Sequence, residues 1–480
     1  MSAQPPHRRG ACPALAAPMP TGDGLLVRLA CSGTTIGLDA MTALCAAARR
    51  HGNGVVEITA RGNIQVRGLS PASAPPFAAA VAPLGIDAGD GVAILVDPLT
   101  GLAPAPAVDA RGVAGALRER LAHAPFAALL GPKVSIVIDG GSALNLDAIR
   151  ADIRLRADRG RWLLAVGGDA ASGAPIGHAE NTAEAAMRLL ELIARHGPQA
   201  RASDLVRSHG LDAFRTALTE VVERATSSSP SPCGEGSGVA SDESAGPSGT
   251  PPLPNPPAQA GRESHAAASQ PIGTHRLRDG RCALGIGLSF GHINANALAD
   301  VIAAARRLQA SGLRAAPGRA LLVIGLTNEA SQTLATDAER LGFITRPDDP
   351  RRSVIACAGA PICAAAEIPA RSLAPPLSTA GAQLLDGSLT IHLSGCPKGC
   401  AHPGPAALTL VGTKNGCDLV VDGSARDGAH ASVATDALPG SLTRIAAEVA
   451  RARRPAESSA ATLTRLGAAR VARLFGARHA

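Results

Sequence analysis

Cys357 and Cys363 stand with five residues between them, and Cys396 and Cys400 with three, the second pair inside the run Ser394-Gly-Cys-Pro-Lys-Gly-Cys-Ala-His-Pro403. A [4Fe–4S] cube presents its irons at the corners of a tetrahedron, so two loops that each deliver a pair of thiolates can hold one cluster. Gly395, Pro397 and Gly399 let the second loop turn tightly enough for its sulfurs to converge. Zinc also takes four cysteines, but structural zinc sites favour two to four residues within a pair, and the first pair is wider. Disulfides are a poorer reading, because ten cysteines in 480 residues form no dense framework. The expectation is a reduced, cytoplasmic chain with an iron–sulfur cluster, ahead of zinc or inert thiols. Cys12, Cys31, Cys45, Cys233, Cys282 and Cys417 lack a paired spacing and read as small buried hydrophobes.

With 46% hydrophobic side chains the chain can bury a large core and should divide into roughly two to four domains. It contains no apolar run long enough to span a bilayer, and the start, Met1 to Pro20, is broken by prolines and lacks an apolar core, so neither a membrane nor export is expected. A net charge of +7 suits an anionic partner, yet six Phe, one Trp and no Tyr leave little to stack on bases, so nucleic acid is not expected. A basic pocket for a small polyanion and diffuse surface basicity both fit. Lysine usage narrows this slightly: of 46 basic side chains only Lys133, Lys398 and Lys414 are lysines. Lys398 lies between two cluster cysteines, and Lys133 opens the predicted strand Val134 to Ile138.

These residues need elements to position them, and the chain supplies the elements twice. Thr226 to about Gly273 is Ser, Pro, Gly and Ala with almost no large apolar residues, a composition that reads as a disordered linker. On its two sides Ala46-Ala-Ala-Arg-Arg50 recurs as Ala303-Ala-Ala-Arg-Arg307, at an offset of 257. A second block repeats at an offset of 255, where Asp139-Gly-Gly141 matches Ser394-Gly-Cys396. The first unit predicts strand, helix, strand at Leu25 to Ala30, Leu38 to Arg50 and Val55 to Val66, copied at Ala283 to Ser289, Ala297 to Gln309 and Ala320 to Leu326. The second predicts strands at Val134 to Ile138, Ile153 to Arg156 and Trp162 to Val166 and a helix from Ala179 to Arg195. Its copy is Leu389 to Leu393, Ala407 to Val411, Leu419 to Val421 and a helix from Leu442 to Arg453. Duplicated halves tend to pack about a pseudo-twofold axis with a shared crevice. Because Gly141 stands where Cys396 would be, only the second half has the cluster cysteines, and the first is available for substrate.

Together with the cysteine spacings and the duplication, the strand Thr59-Ala-Arg-Gly-Asn-Ile-Gln65 makes the chain resemble the sulfite and nitrite reductase superfamily. The resemblance covers nearly the whole chain outside the linker. It implies an α+β fold, internally duplicated, with two ferredoxin-like half-domains and two larger α+β domains about a pseudo-twofold axis. The expected boundaries are 12–75 and 273–345 for the half-domains, 92–225 for the larger domain without cluster, 226–272 for the linker, 350–455 for the cluster domain and 456–480 for a helical tail. By resemblance Cys357, Cys363, Cys396 and Cys400 hold the [4Fe–4S] cluster, Arg61, Gln65 and Lys133 bind an anion, and Cys400 bridges cluster and sirohaem. The reductases surround their anion with two Arg and two Lys, whereas Val92 and Ser135 fall near two of those positions here, and without that cage six-electron reduction loses its charge stabilisation.

The run Arg61-Gly-Asn-Ile-Gln-Val-Arg-Gly68, the start Cys12-Pro with Gly22-Asp-Gly-Leu-Leu-Val-Arg28, and the loop Gly395 to Pro403 look instead like the branch that oxygenates a tetrapyrrole in aerobic cobalamin biosynthesis. The implied reaction hydroxylates precorrin-3A at C20 with O2 and closes a γ-lactone. The substrate is a polyanion, and Arg28, Arg61, Gln65, Arg67, Lys133 and Lys398 are the expected contacts, arginine because its planar fork matches carboxylate. The resemblance implies NADH as the ultimate electron donor. Gly285-Ile-Gly-Leu-Ser-Phe-Gly291 does not fit the dinucleotide fingerprint, so a separate reductase is expected as partner. The oxygen-activating centre is open between sirohaem, mononuclear non-haem iron and another arrangement, with His392 and His402 flanking the cluster loop as the nearest candidates or as structural histidines. Sirohaem-dependent sulfite or nitrite reduction and a non-catalytic iron–sulfur carrier are the competing functions. The basic tail from Arg465 to His479 reads as a solvated amphipathic helix rather than a docking arm.

Overall fold

The computed structural model describes residues 13–86, 91–179, 181–218 and 270–476. The first unit forms because its apolar residues follow two periods at once. In the helix Leu38–His51, Met41, Leu44, Cys45 and Ala48 recur at helical spacing and are buried, while Asp39 in the first turn and Arg49, Arg50 and His51 in the last match the helix dipole. In the strands Gly24–Leu29 and Ile64–Leu69, Val27, Leu29, Ile64 and Val66 point into the same core, and Arg28, Gln65 and Arg67 alternate to the other face.

These strands belong to an antiparallel sheet ordered Met19–Thr21, Gly24–Leu29, Ile64–Leu69, Val55–Ile58, His292–Asn294. The last strand comes from the other half of the chain, pairing Ile293 with Val56. The exchange is reciprocal: Ile36 bridges Leu313, with both Ile36 N to Leu313 O and Leu313 N to Ile36 O at 2.8 Å. The 257-residue offset carries Ile36 onto Ile293 and Val56 onto Leu313, so the two contacts are one contact related by a pseudo-twofold axis. The second half's sheet is ordered Gly273–Arg276, Cys282–Gly287, Ala320–Leu326, Gly312–Ala316. Its helix Ala295–Arg307 packs against Leu38–His51, and the two halves share one core, from Leu29, Met41 and Phe77 to Val301, Val323 and Phe343.

The larger domains are twins as well. One sheet is ordered Ala93–Val96, Ser135–Asp139, Ala151–Asp158, Arg161–Gly168, Ala174–Ala179; the other Val354–Ala356, Ile391–Ser394, Ala406–Thr413, Gly416–Gly423, Ala431–Val433. In both, the first two pairings are parallel and the last two antiparallel. Ile136 opposite Ile153 and Ile391 opposite Leu408 keep the 255 offset. The duplicated α+β architecture is thus as expected.

Several local expectations are corrected. The stretch Val55 to Val66 is not one strand: Thr59 N bonds Asn63 O and Gly62, at φ +80°, turns a hairpin between two strands. Strands Gly312–Ala316 and Ala174–Ala179 were not anticipated, and the helix expected from Ala179 begins at Thr182, where the Asn181 side chain accepts from Glu184 N. Of the linker, residues 226–269 lie outside the described residues, and at its end Ile272 is already buried. The C-terminal segment is no solvated tail over its described part. Val471 and Phe475 are wholly buried in the core of the second large domain, and Arg444 donates to the carbonyls of Leu474 and Phe475.

Candidate functional site

Parallel neighbours end side by side. Strands Val354–Ala356 and Ile391–Ser394 are such neighbours, and Cys357 and Cys396 follow their C-terminal ends. Cys357 N bonds Leu393 O at 3.1 Å, and Gly395 N donates to Cys357 Sγ at 3.1 Å, a backbone donor aimed at the sulfur. A Cβ on Gly395 would lie 2.7 Å from the Ala366 methyl carbon, so only glycine lets the two loops approach. Cys363 N bonds Gly359 O at 2.7 Å, closing a tight turn in which Gly359 has φ +69° and sits against Ala370 N. Cys400 stands in the crossover that runs from Ser394 back to Ala406. The sulfurs share one electrostatic neighbourhood: Cys357 feels Cys363 and Cys396, and Cys400 feels Cys396 and Cys363. Burial pushes the Cys357 and Cys400 thiols up, and the Gly395 amide pulls Cys357 partly back.

Among the described residues no group of three or more His, Cys, Asp or Glu side chains is gathered as around a single metal ion. The four thiols come from two loops and share one neighbourhood, with a backbone donor aimed at Cys357 Sγ. Nor does such a group form around His392 and His402, the candidates for a mononuclear iron. His392 is fully buried with neither ring nitrogen bonded, and burial first, then His402, holds its pKa down at about 4. The two rings meet edge to face with centroids 5.6 Å apart. At the 255 offset His392 replaces Val137, which belongs to a small apolar cluster in the twin domain.

The outer faces of the two ferredoxin-like sheets differ. On the second, Ala283, Leu322 and Ile324 are covered by Leu99 and Leu144 of the first large domain, and Arg314 is tied to the Pro98 and Thr100 carbonyls. On the first, the positions equivalent to Leu322 and Ile324 are Gln65 and Arg67. Cross-strand register lines up Arg28, Gln65, Glu57 and His292 in one row. With its amide turned as these neighbours require, Gln65 accepts from Arg28 Nη2 and Nε at 2.9 and 3.1 Å and donates to Glu57 at 3.2 Å. One twin face is closed with apolar residues, and the other carries polar groups beside the Cys357–Cys363 loop. Gly22 N and Arg67 Nη2 both bond Ile362 O, next to Cys363, at 2.9 and 3.3 Å.

Arg28 has no carboxylate partner among the described residues and Gln65 shares its row. Arg61, at the hairpin turn, donates to Arg150 O at 2.8 Å. Lys133 is exposed, and the register Ile136 opposite Ile153 puts it at the same sheet end as Arg150. Lys398 is exposed beside Cys400. Arg67 requires a correction: it is 5% exposed and bonded through Nε and Nη2 to Asp23 at 3.2 and 3.0 Å, so its fork is already filled by a carboxylate of the chain. Burial opposes Asp23 ionising, but Arg67 and Thr21 outweigh it and hold its pKa below the usual carboxylate value. Val92 packs on the first large domain's core, and Ser135 is 1% exposed, so neither position offers a cation. Sequence reasoning missed Asp23, Glu57, His292 and Arg371. Glu57, a charge inside the apolar strand Val55–Ile58 on the Gln65 side, was the one visible signal.

Buried histidines make the apoprotein acid-sensitive. Burial, then Arg371, holds His292 at about 4, like His392, so the folded state binds fewer protons than the unfolded state between pH 6.5 and 4. The stability each neutral ring confers is whole above pH 6.5 and falls as pH drops to 4, by about 1–2 kcal/mol per ring at pH 5. Asp97, raised to about 6 by burial, offsets part of this below pH 6. Urea unfolding of the apoprotein should show lower stability at pH 5 than at pH 7.5, and equal midpoints would contradict the assignment.

Residues 17–84 match the family described as nitrite/sulfite reductase ferredoxin-like half domain. The structure of the Mycobacterium tuberculosis NirA protein superposes with a TM-score of 0.70 at 19% identity, covering 93% of this chain and 84% of that one. The fold is therefore that of the nitrite and sulfite reductases. Sulfite reductase [ferredoxin] 2 of Mycolicibacterium paratuberculosis is similar over only part of the chain, 28% identical over 148 residues, 29% of this chain and 27% of that one. Within the superfamily the chain belongs to the precorrin-3B synthase family: it is 38% identical over 474 residues to the Precorrin-3B synthase of Sinorhizobium sp, spanning 98% of this chain and 95% of that protein.

Proposed function

We propose that the chain catalyses the O2-dependent mono-oxygenation of precorrin-3A, hydroxylating C20 and closing a γ-lactone, as a step of aerobic cobalamin biosynthesis. The nearly end-to-end similarity to a precorrin-3B synthase carries this reading. The missing cations at Val92 and Ser135 weigh against a sulfite or nitrite reductase. One oxygen atom enters the substrate and the other leaves as water, which takes two electrons and two protons. A [4Fe–4S] cluster on Cys357, Cys363, Cys396 and Cys400 would supply electrons singly. NADH is their ultimate source through a separate reductase, and the reducing cytoplasm is where such thiols persist. No described helix is long and apolar enough to cross a membrane.

The chain's own residues hold the substrate. Arg28, fixed in direction by two bonds to Gln65, is the main carboxylate anchor, with the exposed Lys133 and Lys398, and Arg61 at the hairpin turn, contacting other acetate and propionate groups. Arg28→Ala should raise the KM for precorrin-3A roughly tenfold with kcat within about threefold, the loss of one charge-assisted pair. Steady-state kinetics with purified precorrin-3A would show it, and an unchanged KM would remove Arg28 from the site. Formation of the lactone by the reconstituted protein tests the function itself.

A further inference from the structure

Glu57 ties the polar face to the cluster domain. It is 8% exposed and accepts a hydrogen bond from Arg371 Nη2. Its Oε1 also lies 3.7 Å from Arg67 Nε, and its Oε2 accepts from Gln65. Arg371 is the second residue of the helix Ala370–Ala380, whose first amide is packed against Gly359 inside the Cys357–Cys363 loop. Arg67 reaches the same loop at Ile362 O. Glu57 therefore stands between the Gln65–Arg28 pair proposed to face substrate and two arginines, of which Arg67 bonds the cysteine loop and Arg371 belongs to the helix packed on it. The twin sheet shows what the position does without a cluster: the 257 offset replaces Glu57 by Arg314, which bonds the Pro98 and Thr100 carbonyls of the opposite large domain. In each half this position docks the small sheet onto the other half's large domain, but only Glu57 does so through charge facing the polar side. Removing the Glu57 carboxylate would leave the partly buried Arg371 guanidinium without its carboxylate, while Arg67 would keep Asp23.

We propose that Glu57 is a positioning residue that holds the Cys357–Cys363 loop against the substrate-facing sheet and sets the electrostatic environment of the cluster. This rests on the four-cysteine cluster reading and not on the identity of the substrate. Loss of its negative charge favours the more negative, reduced cluster, so the midpoint rises. Full-length Glu57→Gln, reconstituted anaerobically, should bind wild-type iron and sulfide yet show a midpoint raised by roughly three- to tenfold in the reduced-to-oxidised ratio in an EPR-monitored titration. Its cluster should bleach several-fold faster in air, and kcat should fall with KM within about twofold. Glu57→Asp keeps the charge and should restore the midpoint while retaining part of the faster bleaching. If Glu57→Gln fails to fold, Glu57→Asp decides: a wild-type midpoint with a clearly shortened air lifetime is the expected result, and a wild-type air lifetime would overturn the proposal. A wild-type midpoint and air lifetime in Glu57→Gln would overturn the proposal while leaving the cluster reading intact. A wild-type chain that binds no iron and sulfide would instead sink the cluster reading.

Discussion

Cys396→Ser should leave a folded chain without the proposed [4Fe–4S] cluster, and product formation should fall on the order of a thousandfold or more. Serine preserves the volume and removes the soft thiolate, and a cube short of one ligand loses an iron. The geometry concentrates the effect here. Cys396 follows the strand Ile391–Ser394 at the point where Gly395 N bonds Cys357 Sγ, so one substitution disturbs both loops. The control is Cys417→Ser. That thiol is buried, pushed up to about 12 by burial, and lies in the apolar core, so its replacement should lower stability and leave the cluster spectrum unchanged. Iron and sulfide analysis with EPR of the dithionite-reduced proteins separates the two. A Cys396→Ser protein with a full cluster and wild-type rate would contradict the site.

Gly359→Ala is expected to be nearly as severe by a different route. The added Cβ would stand 2.2 Å from the backbone nitrogen of Ala370, and the residue has φ +69°. A methyl group cannot enter without moving the start of the helix Ala370–Ala380 or the turn that carries Cys363. The cost should be about 3 kcal/mol or more, combining left-handed strain with overpacking. The reconstituted protein should show a lower thermal midpoint and less than half the wild-type iron content. Gly404→Ala, in the crossover after Cys400 with nothing within 4 Å of the new methyl, should change neither quantity by much. Wild-type iron content in Gly359→Ala would show that the loop is not packed as described.

Much of this was legible in the sequence because duplication writes the same constraint twice. The offsets of 257 and 255 survive in the strand registers, since a one-residue slip would turn core side chains such as Ile136 and Ile391 to the wrong face. The cysteine pairs stood out by their spacing, and the structure sets Cys357 and Cys396 after the ends of two neighbouring strands. The hairpin at Thr59–Asn63 was hidden because Gly62 interrupts an alternation that otherwise continues across both strands. The exchanged strand His292–Asn294 was hidden because it has three residues and pairs far along the chain. Arg67 was read as a substrate ligand from the resemblance of the run Arg61 to Gly68, and alternation shows only which face it takes. Its partner, Asp23, lies 44 residues earlier, and no local pattern joins the two. The polar row became visible only by comparing the twin faces, where Gln65 and Arg67 replace Leu322 and Ile324.

The most direct test of oxygenation incubates the anaerobically reconstituted protein with precorrin-3A, a reductant and ¹⁸O2, and analyses product and protein together. One labelled oxygen in a hydroxylated γ-lactone, formed only when the cluster is present, is the expected result. Stoichiometric sirohaem with turnover of sulfite or nitrite, and no labelled product from precorrin-3A, would contradict it.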